Sequence, residues 1–136
     1  MARRISRSGA KGRRSACPIA NILDVLGDKW TFLVVRDVML LGRHRFGELA
    51  RSREAIPSNI LSDRLRRLEE WEILEKRRYQ ERPPRFEYRL TKKGRELFPV
   101  LREMAVWSSR HMPGVAKIPP GFLEGVRKKL AAPPKS

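Results

Sequence analysis

The sequence predicts a mainly α-helical fold carrying one small antiparallel β-hairpin. Two observations lead there, and a third points to a partner. Apolar residues recur at helical spacing through most of the 136-residue chain; Leu61, Leu65 and Leu68, for example, fall at i, i+4 and i+7 and share one helix face. Two short runs, 73–79 and 86–90, read as strands. They flank Arg82-Pro83-Pro84-Arg85, whose prolines donate no ladder hydrogen bond and therefore suit a turn. Finally, the formal net charge of +16 implies a polyanionic partner, nucleic acid ahead of an anionic membrane surface.

Each element has a local reason. Residues 1–16 hold Arg3, Arg4, Arg7, Lys11, Arg13 and Arg14, no acidic residue and almost no large apolar side chain, which predicts a disordered basic arm. It serves either as a phosphate- or minor-groove-following arm or as a soluble tail. Ile19, Ile22, Leu23 and Leu26 line one side of a first helix, broken by Gly27 and Asp28. Asp28 is placed to cap the next helix, 29–41. That helix is apolar on most sides (Trp30, Phe32, Leu33, Val34, Val35, Val38, Met39, Leu40) and belongs in the core, with Gly42 at its end. A short helix over 46–51 turns Phe46, Leu49 and Ala50 inward. A brief connection leads to a longer helix ending near Trp71, with Pro57 in its first turn and Ser58 or Asn59 as its cap.

Two short helices joined this tightly form a helix-turn-helix pattern, and the second is the candidate reader. The hairpin beside it is then a wing, and the fold a winged helix-turn-helix. Thr91 is placed to cap a last long helix over 92–111, bent by Pro99. Leu97, Val100, Leu101, Met104 and Trp107 form its apolar stripe. In so small a chain this stripe meets either a second copy, through a twofold contact, or its own domain. Residues 113–136 form an extension with one short helix, 121–130, turning Phe122, Leu123, Val126 and Leu130 inward.

The functional expectation is double-stranded DNA. Asn59 and Ser62, near the start of the reading helix, are the candidates for base edges, and Ser58 either reads or caps. Asp63 either accepts from cytosine or holds Arg66 or Arg67 in place; the two arginines are candidates for phosphate contact, and Arg64 borders the apolar face as a structural residue. Arg82 and Arg85 flank the stiff wing tip as candidates for phosphate or minor-groove contact. The rival readings are a nucleic-acid binder without sequence preference (a nucleoid or RNA-binding protein) and a winged-helix protein-interaction module. The single cysteine excludes an internal disulfide. His44 and His111 have no metal-ligand spacing with Cys17, and phosphate loops, nucleophile elbows and paired carboxylates are absent; neither an enzyme, nor a metal, nor a cofactor is expected. No membrane span or signal segment is read from the sequence, and the chain is expected in the cytoplasm.

Several segments, in order and spacing, resemble one family: Cys17-Pro18, Asp24-Val25-Leu26-Gly27-Asp28-Lys29-Trp30, Arg45-Phe46-Gly47-Glu48-Leu49, Ile56-Pro57-Ser58-Asn59-Ile60-Leu61-Ser62-Asp63-Arg64-Leu65, and Pro83-Pro84-Arg85-Phe86-Glu87-Tyr88-Arg89-Leu90-Thr91. The set is similar to the HxlR family of bacterial winged helix-turn-helix transcriptional regulators, over residues 17–112. The resemblance implies a homodimer on a near-palindromic operator. It places helices from both chain ends in the dimer interface, with Ile19, Ile22 and Leu23 from the first helix and Leu97, Leu101, Met104 and Trp107 from the last. It also implies that Cys17 is either a thiol switch, as in some members, or a small buried hydrophobe. A small-molecule or redox effector is compatible with it. The chain departs from the family at Glu72, where members often carry a glycine suited to a left-handed helix end.

Overall fold

The computed structural model describes residues 14–132. In order the elements are α1 (Pro18–Leu26), α2 (Thr31–Met39), α3 (Phe46–Leu49), α4 (Ser58–Glu70), β1 (Leu74–Gln80), β2 (Arg85–Leu90), α5 (Lys92–Arg95), α6 (Phe98–His111) and α7 (Phe122–Ala131). The expected class holds: helices dominate, and β1 and β2 form one antiparallel two-stranded sheet. The expectation for residues 1–13 lies outside the described residues. Two of the last residues of the expected arm are tied to α1: the Arg14 guanidinium meets Asp24 at 2.7 Å, and the Ser15 carbonyl, like that of Cys17, accepts from the Asn21 amide at 2.8 Å.

α2 lies at the centre. Val34, Val35 and Val38 are buried against Leu61 and Leu65 of α4, Leu49 of α3 and the adjoining core residues. This agrees with the apolar girth read from the sequence. The helix starts two residues later than expected because Asp28 acts across the turn: its carboxylate accepts from the backbone N–H of Trp30 at 3.1 Å and of Thr31 at 3.2 Å, and from the Thr31 hydroxyl. In α3 only Leu49 is buried. Phe46 and Ala50, expected inside, are exposed, because a four-residue helix has one inward position per turn.

The α4 cap also differs from expectation. Pro57 occupies the N-cap position in extended backbone, and neither Ser58 nor Asn59 makes a side-chain cap. Both side chains are therefore left to solvent at the first turn. At the other end the α4 carbonyls are closed by two backbone bonds, Glu72 N–H to Glu69 and Ile73 N–H to Leu68, each 2.9 Å. That is a Schellman closure, and it requires Glu72 in the left-handed region, at φ 61°. The turn is thus as sharp as a glycine would allow, at a cost of about 1 kcal/mol for the side chain.

The expected single long helix over 92–111 is two. Thr91 caps α5, its Oγ1 accepting from Gly94 at 2.9 Å, but the chain leaves helical bonding before α6. Pro99 has no N–H to offer the Arg95 carbonyl and its ring would strike it, so the helix breaks and restarts with proline in its first turn. The break lets α5 pass close to the α4–β1 turn. A methyl group on Gly94 would lie 2.1 Å from the Ile73 carbonyl oxygen, so the position admits no side chain. Farther along, α7 covers one side of the core with Val126, while Leu123 and Leu130 are half-buried and Phe122, expected inward, is exposed.

Candidate nucleic-acid interface

The interface is built from α4 outward. Its buried stripe of Leu61, Leu65 and Leu68 fixes the rotation of the helix about its axis. The opposite face must then carry Ser58, Asn59, Ser62, Arg66 and Arg67 toward solvent. Ser58, Asn59, Ser62 and Arg66 are exposed, and Arg67 is half-buried. The first-turn positions, Ser58 and Asn59, have no backbone bond to close with their side chains, and so remain available to a ligand in the groove.

Asp63 stands at the middle of a guanidinium cluster. It bonds Arg64 at 2.5 Å, bonds Arg66, and approaches Arg67 at 3.7 Å. Of its two expected roles, the structure shows the holding one. Arg66 also reaches Glu70 at 3.8 Å. Arg64 points the other way and meets Asp28 at 2.8 Å. It is the structural residue expected, linking α4 to the cap of α2. Burial opposes ionisation of Asp28, but the Thr31 hydroxyl, the Arg64 guanidinium and the Trp30 N–H outweigh it, and the carboxyl is pulled down to about 2.

A second network braces the turn before α4. Arg36 reaches Glu54 through two nitrogens, each at 2.8 Å, and its neighbour Asp37, almost wholly buried, at 2.7 Å. Arg36 holds the Glu54 carboxyl down to about 2, slight burial notwithstanding. Such a fork is rigid, so the helix-turn-helix corner is set before any ligand arrives.

The wing extends from this base. Leu74 and Tyr88 anchor β1 and β2 to the core, and His44 joins the edge: its carbonyl accepts from the Tyr88 N–H at 2.6 Å and its Nδ1 lies 3.0 Å from the Tyr88 carbonyl. His44 is thus a fastening for the wing. On the outer face, Glu75 lies opposite Arg89 and Arg77 opposite Glu87, a charge ladder that matches the strands. Toward the tip Arg78 pairs with Glu81 at 3.0 Å, and nearer the base Arg89 pairs with Glu87 at 2.9 Å. Among the described residues this occupies the local carboxylates and leaves Arg82 and Arg85 exposed and unpaired. The Gln80 amide donates to the Pro83 carbonyl at 3.1 Å and closes the turn that presents them.

Sequence reasoning missed three cations here. Arg45 stacks 4.0 Å from the centre of the Tyr79 ring, and Lys76 and Arg78 lie 4.9 and 5.5 Å from that of Phe86. The alternation of β1 pointed to Lys76 and Arg78 on one face. Nothing local linked Arg45 to the wing, since Tyr79 is 34 residues away in the chain.

The residues expected at a dimer contact separate into two groups. Ile19, Leu23, Met104 and Trp107 are exposed, Ile19 at 70 % and Trp107 at 61 %. Ile22 and Leu97 are half-buried against the core, and Leu101, 7 % exposed, belongs to the core of its own chain. Leu101 is therefore not a surface position, because the break before α6 rolls that side of the helix onto α2. Cys17 is exposed and sits at the N-cap position of α1, which excludes the buried alternative. Among the described residues no cluster of three metal-ligating side chains forms, and no helix is long and apolar enough to cross a membrane.

This arrangement has known counterparts. The model of the HxlR-like helix-turn-helix matches residues 25–115. An uncharacterised HTH-type transcriptional regulator from Synechocystis sp. is 42 % identical over 88 residues, 65 % of this chain and 64 % of the relative. Another, from Mycobacterium tuberculosis, is 38 % identical over 95 residues, 70 % of this chain and 59 % of the relative. The chain thus spans about three fifths of the length of these two relatives. Among solved structures, the redox regulator HypR in its reduced form superposes with a TM-score of 0.65 at 34 % identity, covering 71 % of this chain and 95 % of HypR. With its helix-turn-helix, its wing and these relatives, the chain belongs to the HxlR-like helix-turn-helix family.

Proposed function

We propose that the protein is a sequence-specific DNA-binding transcriptional regulator that acts as a homodimer on a near-palindromic operator. The observation that carries this reading is the uncapped first turn of α4, where Ser58 and Asn59 are exposed, unengaged, and set on a helix that its buried leucines hold in one rotation. The helix enters the major groove by this turn. Asn59 and Ser62 read base edges, and Ser58 and Asp63 stand beside them. Arg66 and Arg67 leave Asp63 for phosphates, and Arg82 and Arg85 carry the wing tip to the backbone or minor groove. The exposed apolar residues of α1 and α6 join two copies, so that two reading helices face half-sites about one helical turn apart. Cys17, exposed at the start of α1, is the candidate for control by thiol chemistry, as the similarity to a redox regulator supports.

The test starts from DNA fragments that the purified protein selects out of its own genome. On the selected operator, Asn59→Ala or Ser62→Ala costs roughly 1–3 kcal/mol of binding, and much less on random duplex. Equal losses on both would make these residues positioning contacts. Selection of no common sequence would replace the reading with binding that lacks sequence preference.

A further inference from the structure

A cavity of about 270 Å³ opens where α1, the C-terminal end of α4 and the α5–α6 corner meet. Its wall is apolar, with Ile22 and Val25 from α1, Trp71 from the end of α4 and Leu97 from the start of α6. Two polar side chains reach it, Lys93 and Asn21. The Lys93 ammonium donates to the Trp71 carbonyl at 2.7 Å and lies 5.8 Å from the centre of the Trp71 ring. An ammonium has three donors, and among the described residues the partner of this one is a carbonyl, not a carboxylate. The Asn21 amide nitrogen is committed to the Ser15 and Cys17 carbonyls, which leaves its Oδ1 as an acceptor.

An apolar pocket with one cation at its margin selects a small molecule with an apolar body and one negative charge. The body removes the wall from water, and the anion takes the donors that Lys93 has to spare. The volume admits a single ring with a short side chain. We propose that this cavity is a regulatory site for small single-ring carboxylates. Its position supplies the coupling. Trp71 is the residue that closes α4, and two residues later Ile73 begins the approach to the wing. A carboxylate that draws the Lys93 ammonium from the Trp71 carbonyl alters the joint between the reading helix and the wing. The regulatory half rests on the proposed DNA binding; occupancy of the cavity does not.

The experiment is calorimetric titration of the full chain with phenylacetate and with its neutral isostere phenylacetamide. Phenylacetate binds saturably, one per chain, and more tightly than the amide. Lys93→Met weakens phenylacetate about tenfold, a loss of roughly 1.4 kcal/mol, leaves the amide unchanged, and Lys93→Arg restores the difference. Val25→Phe, which fills the cavity, abolishes both. Absence of saturable binding, or binding undiminished by Val25→Phe, overturns the site; an equal loss of acid and amide in Lys93→Met overturns the ligand class. Saturating phenylacetate then shifts duplex affinity of the wild type about fivefold or more, and not that of Val25→Phe. An unchanged duplex affinity with the site filled overturns the coupling. A chain that binds no duplex with or without phenylacetate counts against the DNA reading alone.

Discussion

Glu72 shows how a single residue departs from a local rule and is carried by its surroundings. A side chain in the left-handed region is unfavourable, yet both backbone bonds of the Schellman closure form, and the Thr91 hydroxyl donates to the Glu72 carbonyl at 2.5 Å. Leu68 and Ile73, which bracket the turn, are both buried. Burial of two large aliphatic side chains is worth about 3–6 kcal/mol, several times the strain. Cys17 is the opposite case, a residue whose sequence context left two readings and whose exposure removes one. Its peptide N–H is held by Ser15 at 3.0 Å and its carbonyl by Asn21, so an adduct on the thiol bears on the start of α1. An oxidant or electrophile is therefore expected to release wild-type protein from DNA, while Cys17→Ser stays bound. Fluorescence anisotropy on the selected operator reads this directly. Equal release of the two proteins would remove thiol control.

At the scale of elements, α4 is held by its leucines and by one ion pair to the cap of α2. Arg64 of α4 meets Asp28, which caps α2, so a charge interaction between residues 36 apart in the chain ties the two helices. The pH dependence follows from the direction of the shift. The Asp28 carboxyl is held at about 2 in the folded protein, below its ordinary 3.8. Its contribution is present above the ordinary value and is lost as pH falls from about 4 toward 2. Glu54, held down by Arg36, acts in the same window and with the same sign. The thermal midpoint should fall on acidification through that range. Asp28→Asn keeps an acceptor for the cap but removes the charge, and its midpoint should fall less steeply. Parallel slopes for the two proteins would show that the Asp28–Arg64 pair does not link these helices energetically.

For the whole molecule, the telling feature is apolar surface left outside the core. Ile19, Leu23, Met104 and Trp107 are exposed on α1 and α6, while the core is complete without them. A twofold contact would cover these residues on both copies. Trp107→Glu is expected to give a folded monomer, because the exposed side chain contributes little to its own chain, with a thermal midpoint lowered only by the lost association. Sedimentation at micromolar concentration measures it. A wild type that sediments as a monomer, or a variant that remains a dimer, would refute this assembly. A charge at Leu101 would make a poor test, since that side chain lies in the core and the substitution would unfold the domain.

The sequence by itself determined most of the helices, the hairpin and which residues lie on the exposed face of α4. These depend on short-range periodicity and on turn chemistry, which a few neighbouring residues specify: three leucines at helical spacing orient α4, and two prolines end β1. It also carried the family resemblance, through segments whose order and spacing survive without any contact between them. Only the tertiary structure decided that Pro57, not Ser58, stands at the N-cap, that the last helix breaks before Pro99, that Leu101 turns inward and that Cys17 does not. It alone joined Asp28 to Arg64, Arg36 to Glu54 and Arg45 to Tyr79, and left an open cavity beside α1. These outcomes depend on which side chains distant segments bring within a few ångströms. A local pattern gives the face of a helix but not what that face meets, and it is the meeting that sets burial, charge pairing and the shape of a site.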